Sequence, residues 1–86
     1  YRVAVGRSKK VAGPYLDRNG KDMREGGGNI FLEGDKREFE AAGHCAAYSF
    51  ADGDWFVCHG YSMQKNGAPL LIQKKISWTA DGWPTL

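Results

Sequence analysis

The chain has 86 residues and a formal net charge of +2, so it encodes at most one small domain. Twelve glycines and three tryptophans, without a long Ala/Leu/Glu-rich periodic segment, favour short strands and turns over helices. Both signs of charge are spread along the chain, and no basic block indicates a nucleic-acid partner. The apolar runs are only a few residues long, so no membrane span is expected.

The first predicted strand covers Tyr1 to Gly6, where apolar and other side chains alternate with a period of two. Because the chain starts inside this strand and without an initiator Met, we expect it to be a piece of a longer protein. A long loop follows, from Val5 to Gly28, with Gly13-Pro14, Asn19-Gly20 and three consecutive glycines at its end. These residues predict a defined backbone path at the surface, because Asn-Gly supplies positive φ and Pro fixes φ. Such a loop is either a plain connection between strands or part of a binding site.

A second short strand is predicted from Asn29 to Glu33, ended by Gly34-Asp35. The residues from Lys36 to Ala42 are mostly polar and are expected to form a connection. The clearest local signal comes next, where the apolar runs 44–50 and 55–62 flank Asp52-Gly53. Asp-Gly between two such runs predicts a β-hairpin.

The predicted hairpin turn places Phe50 opposite Trp55 and puts His44 and His59 on one face of the sheet. Cys45 and Cys58 then lie diagonally on the other face, and we expect both to be free, buried thiols. Since neither face is charged, the sheet should be covered on both sides.

A turn at Lys65-Asn66-Gly67 leads to a third predicted strand, Leu70 to Trp78, and a closing turn follows at 81–84. The pattern predicts an all-β chain of antiparallel meander sheets, typical of β-propeller blades. About one and a half blades are expected: the outer strands and long loop of one blade in residues 1–35, and the final blade in residues 43–86. A small independent β-sandwich is the alternative architecture.

Two histidines are the candidate ligands. His44 and His59 would lie diagonally, too far apart to share a hydrogen bond but close enough to surround an ion or a water molecule. They could equally be satisfied core histidines, since their spacing matches no zinc signature. Tyr61 shares the face of His59 and is a candidate for the rim of a channel.

The chain has ten carboxylate side chains, and a catalytic pair would have to be formed by two of them. Asp52, Asp54 and Asp81 read as turn formers, and the other seven lie in polar, loop-like surroundings. None lies at an apolar strand end, where desolvation would raise a carboxyl pKa for general-acid catalysis. The residues therefore predict no catalytic carboxylate pair in this chain.

Four motifs, which follow one another along the chain, carry a family resemblance. The first is the series GRS, GPY, NGKDM and GGG within the long loop, which is similar to a segment of the endo-1,5-α-L-arabinanases of glycoside hydrolase family 43. Gly43-His44 resembles the end of that family's GPGH, with Ala41 and Ala42 at its first two positions. DWFVCHGY resembles its DYYVYHYY strand, and ISWTADGWP resembles its L-W-DGWP ending.

The resemblance implies the C-terminal part of a five-bladed β-propeller that hydrolyses α-1,5-L-arabinan with inversion. It implies that the catalytic carboxylates come from earlier parts of the propeller, so that the chain alone would be inactive. It also implies that His44 points into the central channel and helps, through water, to hold a hydrated cation, commonly Ca²⁺. The expected partners are arabinan or arabino-oligosaccharide and the rest of the propeller.

Two alternative functions stay open beside this interpretation. A non-catalytic carbohydrate-binding β module remains an alternative, as does a xylosidase or arabinofuranosidase of the same family. The start of the chain does not resemble a signal peptide. By family, the parent protein is expected to be secreted or periplasmic.

Overall fold

The computed structural model describes all residues from 1 to 86 and contains seven strands in three antiparallel sheets. The sheets pair β1 with β2, β3 with β4 and β5, and β6 with β7. The strands are β1 (Arg2–Val5), β2 (Asn29–Glu33), β3 (Phe39–Phe50), β4 (Gly53–Ser62), β5 (Pro69–Lys75), β6 (Ser77–Trp78) and β7 (Pro84–Thr85). The prediction of an all-β chain with antiparallel meander sheets is confirmed. None of its helical segments has the length and hydropathy needed to cross a membrane.

The first sheet confirms the two predicted strands, with β2 at the predicted residues. The loop between them includes one turn of 3-10 helix, Met23–Glu25, which begins after Asp22 and ends at Gly26. In β2, Phe31 is the extra residue of a bulge, since Val3 pairs with Leu32 and the next pair involves Ile30.

The central meander differs from the prediction at the start of β3. This strand begins at Phe39, within the stretch predicted to be a polar connection. The reason is a local turn, in which the Asp35 carboxylate accepts hydrogen bonds from the backbone N–H groups of Arg37, Glu38 and Phe39 at 2.9–3.0 Å. The turn satisfies the polar backbone and directs the chain into the sheet.

The predicted hairpin exists, but its predicted register is wrong by two residues. Phe50 pairs with Gly53 rather than with Trp55, so the two-residue loop is Ala51-Asp52. Gly53 pairs with Phe50 and so begins β4 instead of completing the turn, and its φ of 133° lies in a region that favours glycine. Next to the turn, each side chain still lies on the face of the sheet that was predicted for it, because a shift by two residues does not exchange the two faces.

The third predicted strand is also divided. β5 ends at Lys75, and Ser77-Trp78 leave the meander to pair with Pro84-Thr85 as a separate hairpin. The turns at both ends are confirmed: Asn66 and Gly67 have φ values of 54° and 81°, and Gly82 has a φ of 86°. These positive values match the residue types at the three positions.

The core lies where the first sheet packs on one face of the meander. Phe56 is 3% exposed, and its ring contacts that of Phe31 edge to face at 5.0 Å between centroids. The other buried members are Ala42, Cys58 and Ile72, with partly buried side chains from β1, β2 and the start of β3 around them. Cys58 is thus buried and free as predicted, whereas Cys45 is free but exposed, so its predicted burial is wrong.

Candidate functional site

A bulge in β3 determines where His44 lies. Gly43 pairs with His59 and Ala46 pairs with Val57, so that two residues of β3, His44 and Cys45, face a single residue of β4. His44 itself has a φ of 54°, a left-handed conformation that is uncommon for residues other than glycine. The sheet surface is therefore interrupted at this residue, and its imidazole is exposed.

Four rings gather at this end of the meander, and we call Tyr1, His44, His59 and Tyr61 the ring cluster. The ring centroids of His44 and His59 are 5.8 Å apart, and that of Tyr1 lies 5.9 Å from His59 and 6.0 Å from Tyr61. His59 Nε2 and the Tyr61 hydroxyl are joined by a hydrogen bond of 3.1 Å. The predicted diagonal neighbours therefore do meet, and Tyr61 belongs with them.

Tyr1 is the member of the ring cluster that the sequence did not identify. Its ring lies against the backbone of Gly43, where an added Cβ would come within 2.6 Å of the phenol carbon Cζ. Desolvation by its surroundings is the largest cause of the raised pKa of Tyr1, and the nearby Tyr61 phenol is the next largest. The only sequence signal for this contact was the glycine at position 43, which leaves room for a neighbouring ring but does not show which residue supplies it.

The ring cluster offers imidazole nitrogens and phenol hydroxyls, which can bind water and orient it. No group of three or more His, Cys, Asp or Glu side chains in the structure is placed to hold a metal ion. Imidazole is also a poor ligand for a hard cation such as Ca²⁺, which prefers oxygen. From this chain alone, contact with such a cation would therefore run through water molecules bound to the cluster.

The aspartates act as hydrogen-bond acceptors. Asp54 lies inside β4 and not in the turn, and its carboxylate accepts bonds from the Ser49 hydroxyl at 2.5 Å and from the Trp78 indole N–H at 2.7 Å. These two bonds lower the pKa of Asp54. Hydrogen bonds likewise lower the carboxyl pKa of Asp17, Asp22, Asp35 and Asp81. A general acid needs the opposite shift, so these five carboxyls are suited to holding loops together.

Asp17 organises the long loop. Its carboxylate accepts backbone hydrogen bonds from Gly28 at 3.0 Å, Lys21 at 3.0 Å and Asn19 at 2.9 Å, and these bonds join the middle of the loop to its C-terminal end. The bond from Gly28 is the largest cause of the lowered pKa of Asp17. The loop path predicted from glycines and proline thus also depends on a carboxylate.

Replacing Asp17 with Asn is expected to lower the melting temperature of the full-length protein at neutral pH, because an amide cannot accept at both oxygen positions. Since the folded-state pKa of Asp17 is below its ordinary value, its stabilisation is present above the unfolded-state pKa and is lost as pH falls through the folded-state pKa. The difference in melting temperature between wild type and variant should therefore shrink as pH falls below about 4. A difference that does not change with pH would contradict the role of the charge.

Trp83 anchors the closing hairpin. It is 4% exposed, and two guanidinium groups lie over its ring, Arg7 at 4.3 Å and Arg18 at 5.3 Å from the centroid. Arg7 also donates a hydrogen bond to the backbone carbonyl of Asp81 at 2.5 Å. The closing hairpin is thereby attached to the start of the long loop, a contact between distant residues that the sequence did not indicate.

This chain is similar to known proteins over nearly its whole length. No protein-family model matches the chain. It is 42% identical over 84 residues to an extracellular exo-α-(1→5)-L-arabinofuranosidase of Cellvibrio japonicus, which covers 98% of this chain and 24% of that protein. It is 39% identical over 85 residues to the extracellular endo-α-(1→5)-L-arabinanase 1 of Bacillus subtilis, which covers 99% of this chain and 25% of that protein.

The backbone of this chain also closely matches that of a solved structure. The crystal structure of an exo-1,5-α-L-arabinanase from a bovine ruminal metagenomic library superposes with a TM-score of 0.94 at 47% identity, over 99% of this chain and 27% of the other. The chain thus spans about a quarter of the length of the proteins it matches.

Proposed function

Because this chain is homologous, over nearly its whole length, to part of the arabinan-degrading enzymes of glycoside hydrolase family 43, we propose that it belongs to an enzyme hydrolysing α-1,5-linked L-arabinan with inversion. The observation that carries the proposal is similarity in both sequence and backbone from one end of the chain to the other. The four sequence motifs also lie at separate places in the fold: the long loop, the bulge of β3, strand β4 and the closing hairpin. A shared substructure of this kind is more specific than any single motif.

In this proposal the chain is the C-terminal part of a five-bladed β-propeller. Residues 1–35 supply the outer strands and long loop of one blade, and residues 43–86 supply the final blade. The remaining blades are its partner, and they cover apolar surface that the chain leaves open. Tyr48 is 68% exposed, Phe50 60% and Leu71 72%, and an apolar cleft of about 450 Å³ lies between β1 and the turn end of the meander.

Bond cleavage is assigned to carboxylates of the other blades. Inverting glycosidases need one carboxyl group with a raised pKa as the acid and a second as the base that activates water. The aspartates of this chain with shifted pKa values are all shifted downward, as hydrogen-bond acceptors in loops and turns. Their part in the enzyme is to hold the fold that presents the site.

The ring cluster is assigned to the central channel. His44, at the bulge, would hold water that in turn contacts a hydrated cation, Ca²⁺ in this proposal, with His59 and Tyr61 at the rim of the channel. When bound, the cation would supply a fixed positive charge there. Most of its oxygen ligands would be water molecules and groups from other blades, because the chain offers it mainly imidazole nitrogen and phenol oxygen.

Exo-acting hydrolysis, which releases short products from chain ends, is the second candidate. It is favoured by the two matches of higher identity, both of which are named as exo-acting, whereas the endo-acting relative is somewhat less similar. Both relatives are named as extracellular, which supports secretion of the parent protein.

The full-length protein tests the proposal. It is expected to release arabinose or arabino-oligosaccharides from linear α-1,5-arabinan, with far less release from xylan at equal concentration. Product sizes during the first few per cent of reaction separate endo from exo action, and proton NMR of the first product anomer tests inversion. Saturable oligosaccharide binding without any bond cleavage would instead favour a non-catalytic carbohydrate-binding module.

A further inference from the structure

A basic groove lies apart from the ring cluster, between the start of the long loop and the closing hairpin. We call it the loop groove; it has a volume of about 940 Å³, at the upper end of the range for ligand pockets. Its charged members are Arg7, Lys9, Lys10, Arg18, Asp17 and Asp81. Four cations and two carboxylates give the groove a net charge of +2, equal to that of the entire chain.

The two lysines of the loop groove are available to a ligand, and none of its cations is neutralised by an ion pair. The two ion pairs of the structure join Arg24 to Asp22 and Lys36 to Glu40, so none of the four groove cations lies in an ion pair. Lys9 and Lys10 are exposed and their ammonium groups have no hydrogen-bond partner within the chain. An anionic group entering the groove would therefore meet positive charge that the fold does not neutralise.

The groove is also held in shape. Arg7 and Arg18 are positioned over the buried ring of Trp83, and the carboxylate of Asp17 is fixed by three backbone N–H groups. Backbone bonds in both directions between Arg7 and Leu16, each 2.9 Å, close the loop around the lysines. A site that is ordered before binding loses less conformational entropy when a ligand arrives.

The mixed lining indicates the class of ligand. Cations suit carboxylates, while the free Oδ2 of Asp81 and the hydroxyl of Ser8 suit sugar hydroxyls. A nucleic acid is disfavoured, because Trp83 is buried and unavailable for stacking on bases. The lining therefore fits a chain that carries both carboxylates and hydroxyls.

We infer that the loop groove binds a uronic-acid-containing polysaccharide, at a site separate from the one that cleaves arabinan. The choice of a polysaccharide rests on the proposed function, and the choice of an acidic one rests on the charges of the groove. The site would hold the enzyme near an acidic glycan while the neutral substrate is cleaved elsewhere.

Binding of sodium polygalacturonate to the full-length protein tests this inference. The double variant K9Q/K10Q should bind about three- to tenfold more weakly than wild type at low salt, since each exposed charge pair contributes modestly. The matched control is K65Q/K74Q, which removes two exposed lysines outside the groove and should bind as wild type does. Wild-type binding should also weaken as salt rises.

Hydrolysis of neutral linear arabinan is measured on the same proteins and should be equal in wild type and both variants. Equal polygalacturonate binding by wild type and K9Q/K10Q, or no binding at low salt, would overturn the inference, and so would inorganic polyphosphate binding as tightly at matched charge. Lack of arabinan hydrolysis with variant-sensitive polygalacturonate binding would instead overturn the proposed function and leave the groove assignment standing.

Discussion

The isolated 86-residue chain is expected to show no cooperative thermal unfolding and to release no sugar from arabinan. The reason lies in its surface. Its accessible area is 6,241 Å², whereas a compact globular protein of 9.5 kDa exposes about 5,000 Å². Its radius of gyration is 14.2 Å, compared with about 12 Å for a compact domain of this length.

The small core leads to the same expectation. Only eight of 86 residues are buried, and three of them are Gly43, Gly60 and Ser62, which bury little apolar area. Ordering the backbone costs on the order of 1 kcal/mol per residue, which so few buried side chains cannot offset. Blades of repeat folds generally need neighbouring blades to bury their faces.

Circular dichroism during heating, with the full-length protein as the positive control, checks this expectation. The isolated chain should lose signal gradually, whereas the full-length protein should melt in one sharp transition. Arabinan hydrolysis is assayed on both. A compact 86-residue chain that melts cooperatively and cleaves polysaccharide would contradict both the propeller assignment and the placement of the catalytic carboxylates elsewhere.

The strands could be predicted because they depend on local signals. Alternation defined β1, the apolar run and glycine boundary defined β2, and Asp-Gly indicated the hairpin. The register could not be predicted, because it is determined by contacts that no local pattern shows. Among these are the indole N–H of Trp55, which donates to the Asp52 carboxylate at 3.0 Å, and the bond of Ser49 to Asp54 across the loop.

The candidate site could be predicted only in part, because some of its contacts are local in sequence and others are not. The two histidines meet as predicted, but the bulge between Gly43 and Ala46 shifts the pairing by one further residue, so the predicted alternation does not by itself account for their contact. The bulge at His44 and the ring of Tyr1 were missed, because a bulge has no distinctive residue here and Tyr1 reaches the cluster through packing between sheets. The loop groove was missed because Trp83 and Arg7 are far apart in sequence.

Replacing His44 with Ala in the full-length protein is expected to lower kcat on arabinan about 10- to 100-fold, the usual effect of removing a group that orients metal-bound water. The imidazole is exposed and makes no hydrogen bond within the chain, so its loss removes little packing. Chelation of divalent cations should lower wild-type kcat and have a smaller effect on H44A.

The backbone at His44 needs its own control, because alanine tolerates the left-handed conformation less well than histidine or asparagine does, whatever the side chain did before. Asn66 provides it: its φ is also 54°, and it lies in the exposed turn between β4 and β5. N66A should therefore lose a similar amount of stability while keeping its kcat, and H44N, which suits the left-handed conformation, should keep stability while losing kcat. If kcat of H44A stays at the wild-type value, or if N66A loses as much kcat as H44A, the imidazole has no role beyond the backbone conformation that it adopts.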